Sequence, residues 1–519
     1  MDSNVGIPEF FAGKCILVTG ATGFMGKVLV EKLLRSCPDL DTIYLLMRPK
    51  SGQHVAQRLN DLLNTKIFEW LKKNRKDVLC KVFPVVGDIS LPELGISQED
   101  QNMLVEKISV VFHVAATVKF DEPLKISVGM NLTGTKRLLE LCARMTKLES
   151  VVHVSTAYCN CDRAEADEIL YPAPADPENV IKMVEILNDD MLNILTPKLV
   201  STKRPNTYTF TKALAEHVVA EQGGRLPVAI FRPSIVSGAW KEPLPGWVDN
   251  LNGPTGILAG AGKGVLRSMI CYGDCIADLI PVDLAINCLI AVAWQTAVKR
   301  PNNIIIYNCT SGATNPIKWG YLEDVGFQMI LKYPPRDILW YPGGSFKTNH
   351  YLNTLHTLLA QMIPAYCIDF IAKMAGKKQF MVRVQEKILK NLKTIEFFTT
   401  REFRFKNDNV VNLFSNLKAE DKTVFNFDVT QIDWRTYLES YMLGTRSYVL
   451  KEDPSTIPEA RINLRRMYWV QRICQLFLAT TMFWAFINRS HLAKSALCCS
   501  LSYAVKSVSS LLRMVGNDL

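Results

Sequence analysis

The chain has 519 residues, of which 48% are hydrophobic and 21% charged, an ordinary globular balance with length enough for two or three domains. Its formal net charge is +10, and half of that excess lies from Lys451 onward, where nine Lys or Arg meet four Asp or Glu. A basic tail suits an anionic membrane surface, while the lack of an aromatic-interleaved basic stripe, zinc-finger spacing or RNA-binding signature excludes nucleic acid. The fourteen cysteines show no paired spacing and are expected to be reduced thiols facing the cytosol. The first residues, MDSNVGIPEF, have no apolar core, so no secretory signal is expected.

Cys15 to Val18 form an uncharged apolar run, which predicts a strand buried on both faces, and GATGFMG follows at once. Lys27 to Arg35 then place Val28, Leu29, Lys32 and Leu33 at helical spacing, so the glycines lie where a helix begins. A helix N-terminus suits a pyrophosphate through its free N–H groups and positive dipole end, and glycines let the backbone approach it. Gly20, Thr22, Gly23, Phe24 and Gly26 are therefore the candidate phosphate contacts of a Rossmann-type α/β fold with a doubly wound parallel sheet. Their spacing is GxxGxxG, not the commoner GxGxxG. A second strand, Thr42 to Met47, ends in Arg48. An acidic residue there would bond the ribose hydroxyls of NAD, whereas a basic one favours the 2′-phosphate of NADPH.

Residues 52–80 are charged and helical in pattern, which predicts an insertion or an elaborated crossover. Lys81 to Val86 predicts the next strand, running into Gly87, Asp88 and Ile89; this carboxyl end faces the adenine, and Asp88 is the candidate for its amino group. Val110 to Val114 predicts a fourth strand, after which Ala115 and Ala116 are small enough for backbone to lie against the cofactor. A helix is expected from Met130 to Met145, with Asn131 near its start, and a fifth strand from Ser150 to Val154, ending in Ser155 and Thr156. After a proline-rich loop and an acidic helix, NTYTFTKALAE puts Tyr208 and Lys212 four apart on one helix face.

These residue types match one chemistry. Hydride delivered to a carbonyl carbon leaves an alkoxide that must be stabilised and protonated in the same step. A free phenol has a pKa of about 10, and an ammonium one helical turn away would lower it by favouring phenolate. Lys212 is expected to do this and to reach the nicotinamide ribose. A Ser or Thr hydroxyl would fix the carbonyl oxygen, and Asn131 would hold a water for proton relay.

GATGFMGK, HVSTAY, YTFTKALAE, RPSIV, KEPLPGWVDN and the PVD at Pro281 to Asp283 together resemble the alcohol-forming fatty acyl-CoA reductases, members of the extended short-chain dehydrogenase/reductase group. The glycine motif and YxxxK specify only the wider group; the longer runs narrow it. The resemblance covers nearly the whole chain. It implies NADPH, a long-chain fatty acyl-CoA substrate and two hydride transfers to a primary alcohol and free CoA. Tyr208 and Lys212 match the catalytic pair. Ser155, first after the strand, is the favoured hydroxyl partner, with Thr156 the alternative.

Ser237 to Arg267 is rich in Gly and Pro and carries Trp247, Lys241, Lys263 and Arg267, which predicts a long loop serving as lid or acyl-chain entrance, its basic residues near CoA phosphates. Gly262 and Lys263 do not form a P-loop, because Ile257 and Gly264 stand where a glycine and a Ser or Thr are needed. Three regions are expected: 1–340, the NADPH-binding catalytic domain; 341–450, a helical C-terminal domain that helps shape the acyl tunnel; and 451–519, a membrane-anchoring tail. In the tail, Ile473 to Ile487 is uncharged between Arg472 and Arg489 and would span about 22 Å as a helix, short of the ~30 Å hydrocarbon core. Ser495 to Val505, between Lys494 and Lys506, is a second apolar segment for an interfacial helix or incomplete span. The expectation is a chain anchored through this tail to membrane lipid, its catalytic domain toward the cytosol, on the peroxisomal or endoplasmic reticulum membrane, with oligomerisation left open. The rival readings are a membrane-bound dehydrogenase or epimerase acting on a sterol or nucleotide sugar, and a non-catalytic NADPH-binding scaffold.

Overall fold

The structure is a computed structural model that describes residues 5–489, apart from 51, 201, 202 and 225, together with residue 502. Seven strands, β1 (Cys15–Thr19), β2 (Thr42–Met47), β3 (Val82–Val86), β4 (Ile108–His113), β5 (Ser150–Val154), β6 (Val228–Pro233) and β7 (Ile305–Cys309), form one sheet. Every pairing in it is parallel, and the order is β7-β6-β5-β4-β1-β2-β3. That is the expected doubly wound α/β class. The uncharged runs are explained by burial on both faces: β1, β4, β5 and β6 are buried throughout. Ile16 and Val18 of β1 face the helices Phe24–Ser36 and Val282–Lys299, while Cys15 and Leu17 face Gly134–Arg144 and Thr207–Gly223. The strand order reverses between β1 and β4, which opens a crevice at the carboxyl ends of these two strands.

Residues 52–80 form the helical crossover, with helices at Val55–Leu63 and Glu69–Asn74. Two local expectations are corrected. The helix assigned to Met130–Met145 starts at Leu124, just after Pro123, and passes through a π turn at Gly129–Thr133 before continuing to Arg144. Asn131 therefore sits inside a π turn, not near a helix start; such turns carry one extra residue and are frequent at functional sites. The stretch from Ser237 to Arg267 is not one open loop. Pro254 opens a helix to Gly262, in keeping with proline's preference for a first helical position. Upstream, the Asp283 carboxylate accepts N–H bonds from Trp240, Lys241 and Glu242 at 2.8, 2.8 and 3.0 Å, and Trp247 is buried. This pins the KEPLPGW run as a wall instead of a free lid.

Beyond residue 340 the chain is mostly helical, with short strands at Ser345–Lys347 and Arg404–Phe405, and it packs back on the sheet-bearing region. Tyr437 bonds Ser237 Oγ and Gly238 O at 2.6 and 2.8 Å, and Tyr441 bonds Thr255 Oγ1 at 2.6 Å. The tail begins as one helix, Ile457–Arg489, with exposed apolar side chains from Ile473 to Phe486. Of the second apolar segment, Ser495 to Val505, all but residue 502 lies outside the described residues. Among the described residues two helices are long and apolar enough to cross a membrane, Val282–Lys299 and His350–Met374, and the tail helix is not one of them.

Candidate active site

The three glycines do different work. Gly20 has φ +75°, and a Cβ there would lie 2.6 Å from the Ala115 nitrogen, so it lets the β1 and β4 turns touch. A Cβ on Gly26 would lie 2.3 Å from Gly20 O, so that glycine lets the helix close on its own turn. Gly23 is exposed and caps the Phe24–Ser36 helix; only Gly20 O, at 3.2 Å, comes near its Cβ position. The side of the turn beside Gly23 and Thr22 is thus open to an anion, with the unpaired N–H groups of the first helical turn behind it. Phe24 stacks on Trp247 at 5.4 Å, tying the glycine turn to the pinned wall. This cradle fits a dinucleotide pyrophosphate.

Arg48 and Asp88 end neighbouring strands, with Nη1 and Oδ2 4.0 Å apart. The Arg48 side chain is 64% exposed and so available to a phosphate. Asp88 Oδ1 is engaged by the Ser90 N–H and hydroxyl at 3.0 and 2.8 Å. Ile89 is buried on Gly134, where a Cβ would come within 2.6 Å of it. Ala115 N–H donates to Thr19 Oγ1 at 3.2 Å. All of these stand at the carboxyl end of the sheet around the β1/β4 crevice.

The helix Thr207–Gly223, which carries the candidate pair Tyr208 and Lys212, is capped by Asn206, whose Oδ1 accepts the Thr209 N–H at 2.9 Å. Tyr208 is in its first turn, and Lys212 follows one turn later, with Nζ donating to Val154 O, the last carbonyl of β5, at 2.7 Å. Burial lowers the Lys212 ammonium to about 8, against the opposing charge of Glu216. Burial raises the Tyr208 phenol, and the Thr156 hydroxyl hydrogen bond acts against that rise. The Lys212 ammonium is directed at the Val154 carbonyl, and burial is the largest influence on the phenol. The hydroxyl beside Tyr208 is that of Thr156, not the favoured Ser155. Consecutive residues of an extended segment project apart, and Ser155 turns toward the Cys159 thiol and Glu216 carboxylate.

Both polar atoms of the Asn131 side chain already have partners within the protein. Its Oδ1 accepts the Thr117 N–H at 2.9 Å, and its Nδ2 donates to Thr117 O at 3.2 Å and Thr211 Oγ1 at 3.1 Å. It therefore ties the π turn to the strand-β4 loop and to the Thr207–Gly223 helix. The imidazoles of His113 and His153 are buried beneath Lys212, and burial together with the Lys212 charge holds His113 down to about 3 and His153 well below its ordinary value.

Several residues of the site escaped sequence reasoning. Glu216 and Arg232 form a buried pair with bonds of 2.8 and 2.7 Å, and Cys159 donates to the same carboxylate at 3.2 Å. Arg232 begins the RPSIV run, and its burial within β6 was the missing information. Phe120 stacks on Tyr208 at 5.8 Å, and Phe398 follows Phe120 at 5.5 Å. Tyr158 contacts Phe398, Phe403 and Phe405 at 5.3, 5.5 and 5.1 Å, so the C-terminal region supplies an aromatic wall beside the phenol. The only hint was the density of phenylalanine in FFTTREFRF.

An apolar cleft, partly open to solvent, lies between the Pro254–Gly262 and Trp319–Lys332 helices, lined by Ile257, Leu258, Phe327 and Phe346 among others. Arg267 lines it and donates to Tyr341 O at 2.8 Å. Lys241 instead lies over the Trp240 ring.

The family described as male sterility protein matches residues 18–289, and a second one of the same description matches residues 360–452. "Fatty acyl-CoA reductase 1" of Xenopus laevis is 42% identical over 489 residues, 94% of this chain and 95% of that protein. "Fatty acyl-CoA reductase 2" of Bos taurus is 41% identical over 506 residues, 97% of this chain and 98% of that protein. Among solved structures, the reductase domain of a nonribosomal peptide synthetase from Mycobacterium tuberculosis superposes with a TM-score of 0.54 at 19% identity, covering 84% of this chain and 92% of that one. The terminal R domain of the myxalamid pathway gives 0.53 at 21% identity, over 83% and 90%. At such identities these two structures speak for the fold alone.

Proposed function

The chain belongs to the fatty acyl-CoA reductases, and from that premise we propose that it reduces long-chain fatty acyl-CoA with NADPH to a primary alcohol and free CoA, in two steps through an aldehyde-level intermediate. The observation that carries this reading is the meeting of Tyr208, Thr156 and Lys212 at the carboxyl end of β5, beside the glycine cradle. NADPH, when bound, supplies the hydride for each step, and Arg48 would hold its 2′-phosphate. Tyr208 and Thr156 take the carbonyl oxygen between their hydroxyls, so negative charge that develops there meets two donors. Tyr208 donates its proton to that oxygen. Lys212 stays protonated below about pH 8, stabilises the phenolate left behind and reaches the nicotinamide ribose. Phe120, Phe398 and Tyr158 keep water from the phenol, which raises the strength of each of these interactions. The C-terminal tail anchors the chain to a peroxisomal or endoplasmic reticulum membrane, with this site toward the cytosol.

The test is NADPH oxidation on palmitoyl-CoA by membranes carrying the intact chain, with thiol release and lipid products followed together. The expected result is two NADPH per thiol with hexadecanol as product. One NADPH per thiol with aldehyde would limit the enzyme to the first step, and no oxidation across a range of acyl-CoAs would overturn the reading. Tyr208→Phe is expected to lower kcat by about 10²–10⁴ with NADPH binding kept. Because the Lys212 pKa is depressed to about 8, its proton is lost as pH rises through that value. The rate should therefore fall above pH 8, and a Lys212→Met chain should lose that limb of the profile.

A further inference from the structure

The helix His350–Met374 is amphipathic in the wrong sense for water. Several of its polar side chains point inward: Asn353 Oδ1 accepts the Ser268 hydroxyl at 2.7 Å, and Gln361 Oε1 accepts the Arg267 N–H at 2.9 Å. Asp369 accepts three N–H bonds at the start of the Met381–Thr399 helix, from Phe380, Met381 and Val382. Its large apolar side chains point outward, with Leu355 53%, Leu359 55%, Tyr366 57% and Phe370 64% exposed. Only 22% of the helix's most apolar window is buried, at a mean hydropathy of 1.3. A helix facing water on that side would gain by the opposite arrangement, so an apolar medium is the natural neighbour.

Two further observations identify that medium. The apolar face ends in exposed Lys373, Lys377 and Lys378, which suits anionic headgroups. The tail helix also starts beside the chain that leads into this helix. Its Arg461 and Asn463 bond Lys332 O and Arg336 O at 2.9 and 3.0 Å, and Tyr468 meets Tyr341 edge-on at 5.3 Å. The segment 332–347, so gripped, leads directly into His350. A tail anchored in a bilayer would hold the outward face of His350–Met374 near that bilayer's surface.

We propose that the His350–Met374 helix lies in the interface of an anionic phospholipid bilayer, as a second membrane contact built into the body of the protein. The inference rests on the tail reading only for the side of the molecule that faces lipid. It places Arg267 and Ser268, which line the apolar cleft and hold the helix, just beneath the membrane surface.

The experiment uses the full chain in vesicles of phosphatidylcholine and phosphatidylserine, four to one, doped with a photoactivatable phosphatidylcholine, followed by mapping of the cross-linked peptides. Lipid is expected on residues 351–374 as well as on 473–487. A full chain carrying Leu355→Gln and Leu359→Gln should lose labelling of 351–374 by at least about fivefold, with tail labelling unchanged. Label on the tail alone would overturn the proposal and leave the anchor standing. Label on 351–374 with an unlabelled tail would support the proposal and overturn the anchor. Chain-to-chain cross-links through 351–374 in place of lipid would assign the face to a second copy and overturn the proposal. Should the double variant not fold, the map from the unsubstituted chain decides among these outcomes.

Discussion

The helices Val282–Lys299 and His350–Met374 have the same mean hydropathy, 1.3, yet the first is 89% buried and the second 22%. The difference lies in direction, not in quantity. Val282–Lys299 packs against β5, β6 and the Phe24–Ser36 helix, and small residues such as Ala285, Ala291 and Ala293 let it lie close on all sides. Its few polar groups are spent at precise partners, Asp283 on three N–H groups and Asn287 on Asn426 O at 2.8 Å. His350–Met374 spends several polar groups in the same manner on its inner side, leaving the apolar side chains outward. Hydropathy sums a helix's apolar surface; the neighbours decide whether that surface meets protein or another medium.

The contrast is broken most directly by a charge. Ala291 is fully buried, so Ala291→Asp places a carboxylate in the core without a partner and should cost more than about 4 kcal/mol, leaving little folded protein in a denaturant titration. Leu355→Asp, the same kind of change on the other helix, should leave the midpoint nearly unaltered in detergent; equal losses from both would mean that the two helices are not differently placed. A smaller effect is expected at the polar end of the buried helix. Asp283→Ala strands the N–H groups of Trp240, Lys241 and Glu242, which hold the start of the wall, and should cost about 2–4 kcal/mol. The wall carries Trp247, which stacks on Phe24, so the same variant should also weaken binding of the nicotinamide cofactor, measurable by fluorescence titration. The smallest effect is at Leu359→Ala, where stability should shift by less than about 0.5 kcal/mol, although the residue is as apolar as any in the core.

Much of the cofactor half was legible because its physics is local. A strand buried on both faces must be an uncharged run, and β1, β2 and β5 stand where such runs occur. The Tyr208–Lys212 pair was legible because one helical turn sets its spacing. Ser155 against Thr156 was not, since the two are neighbours in sequence and only the position of the Thr207–Gly223 helix decides which hydroxyl meets the phenol. Nor was the role of Asn131, whose side chain is claimed by Thr117 and Thr211 through a π turn that no periodicity announces. Arg232 and Glu216 read as unremarkable charges until burial made them a pair.

By itself, then, the chain's order of residues determined the alternation of strands and helices, the glycine turn and the spacing of Tyr208 and Lys212, all of which depend on neighbours within a few residues. The tertiary structure alone decided which hydroxyl, which phenylalanines and which side of each apolar helix belong to the site or to the surface. These are contacts between segments as far apart as Tyr158 and Phe405, or Arg267 and Gln361, whose geometry exists only once the sheet has brought them together.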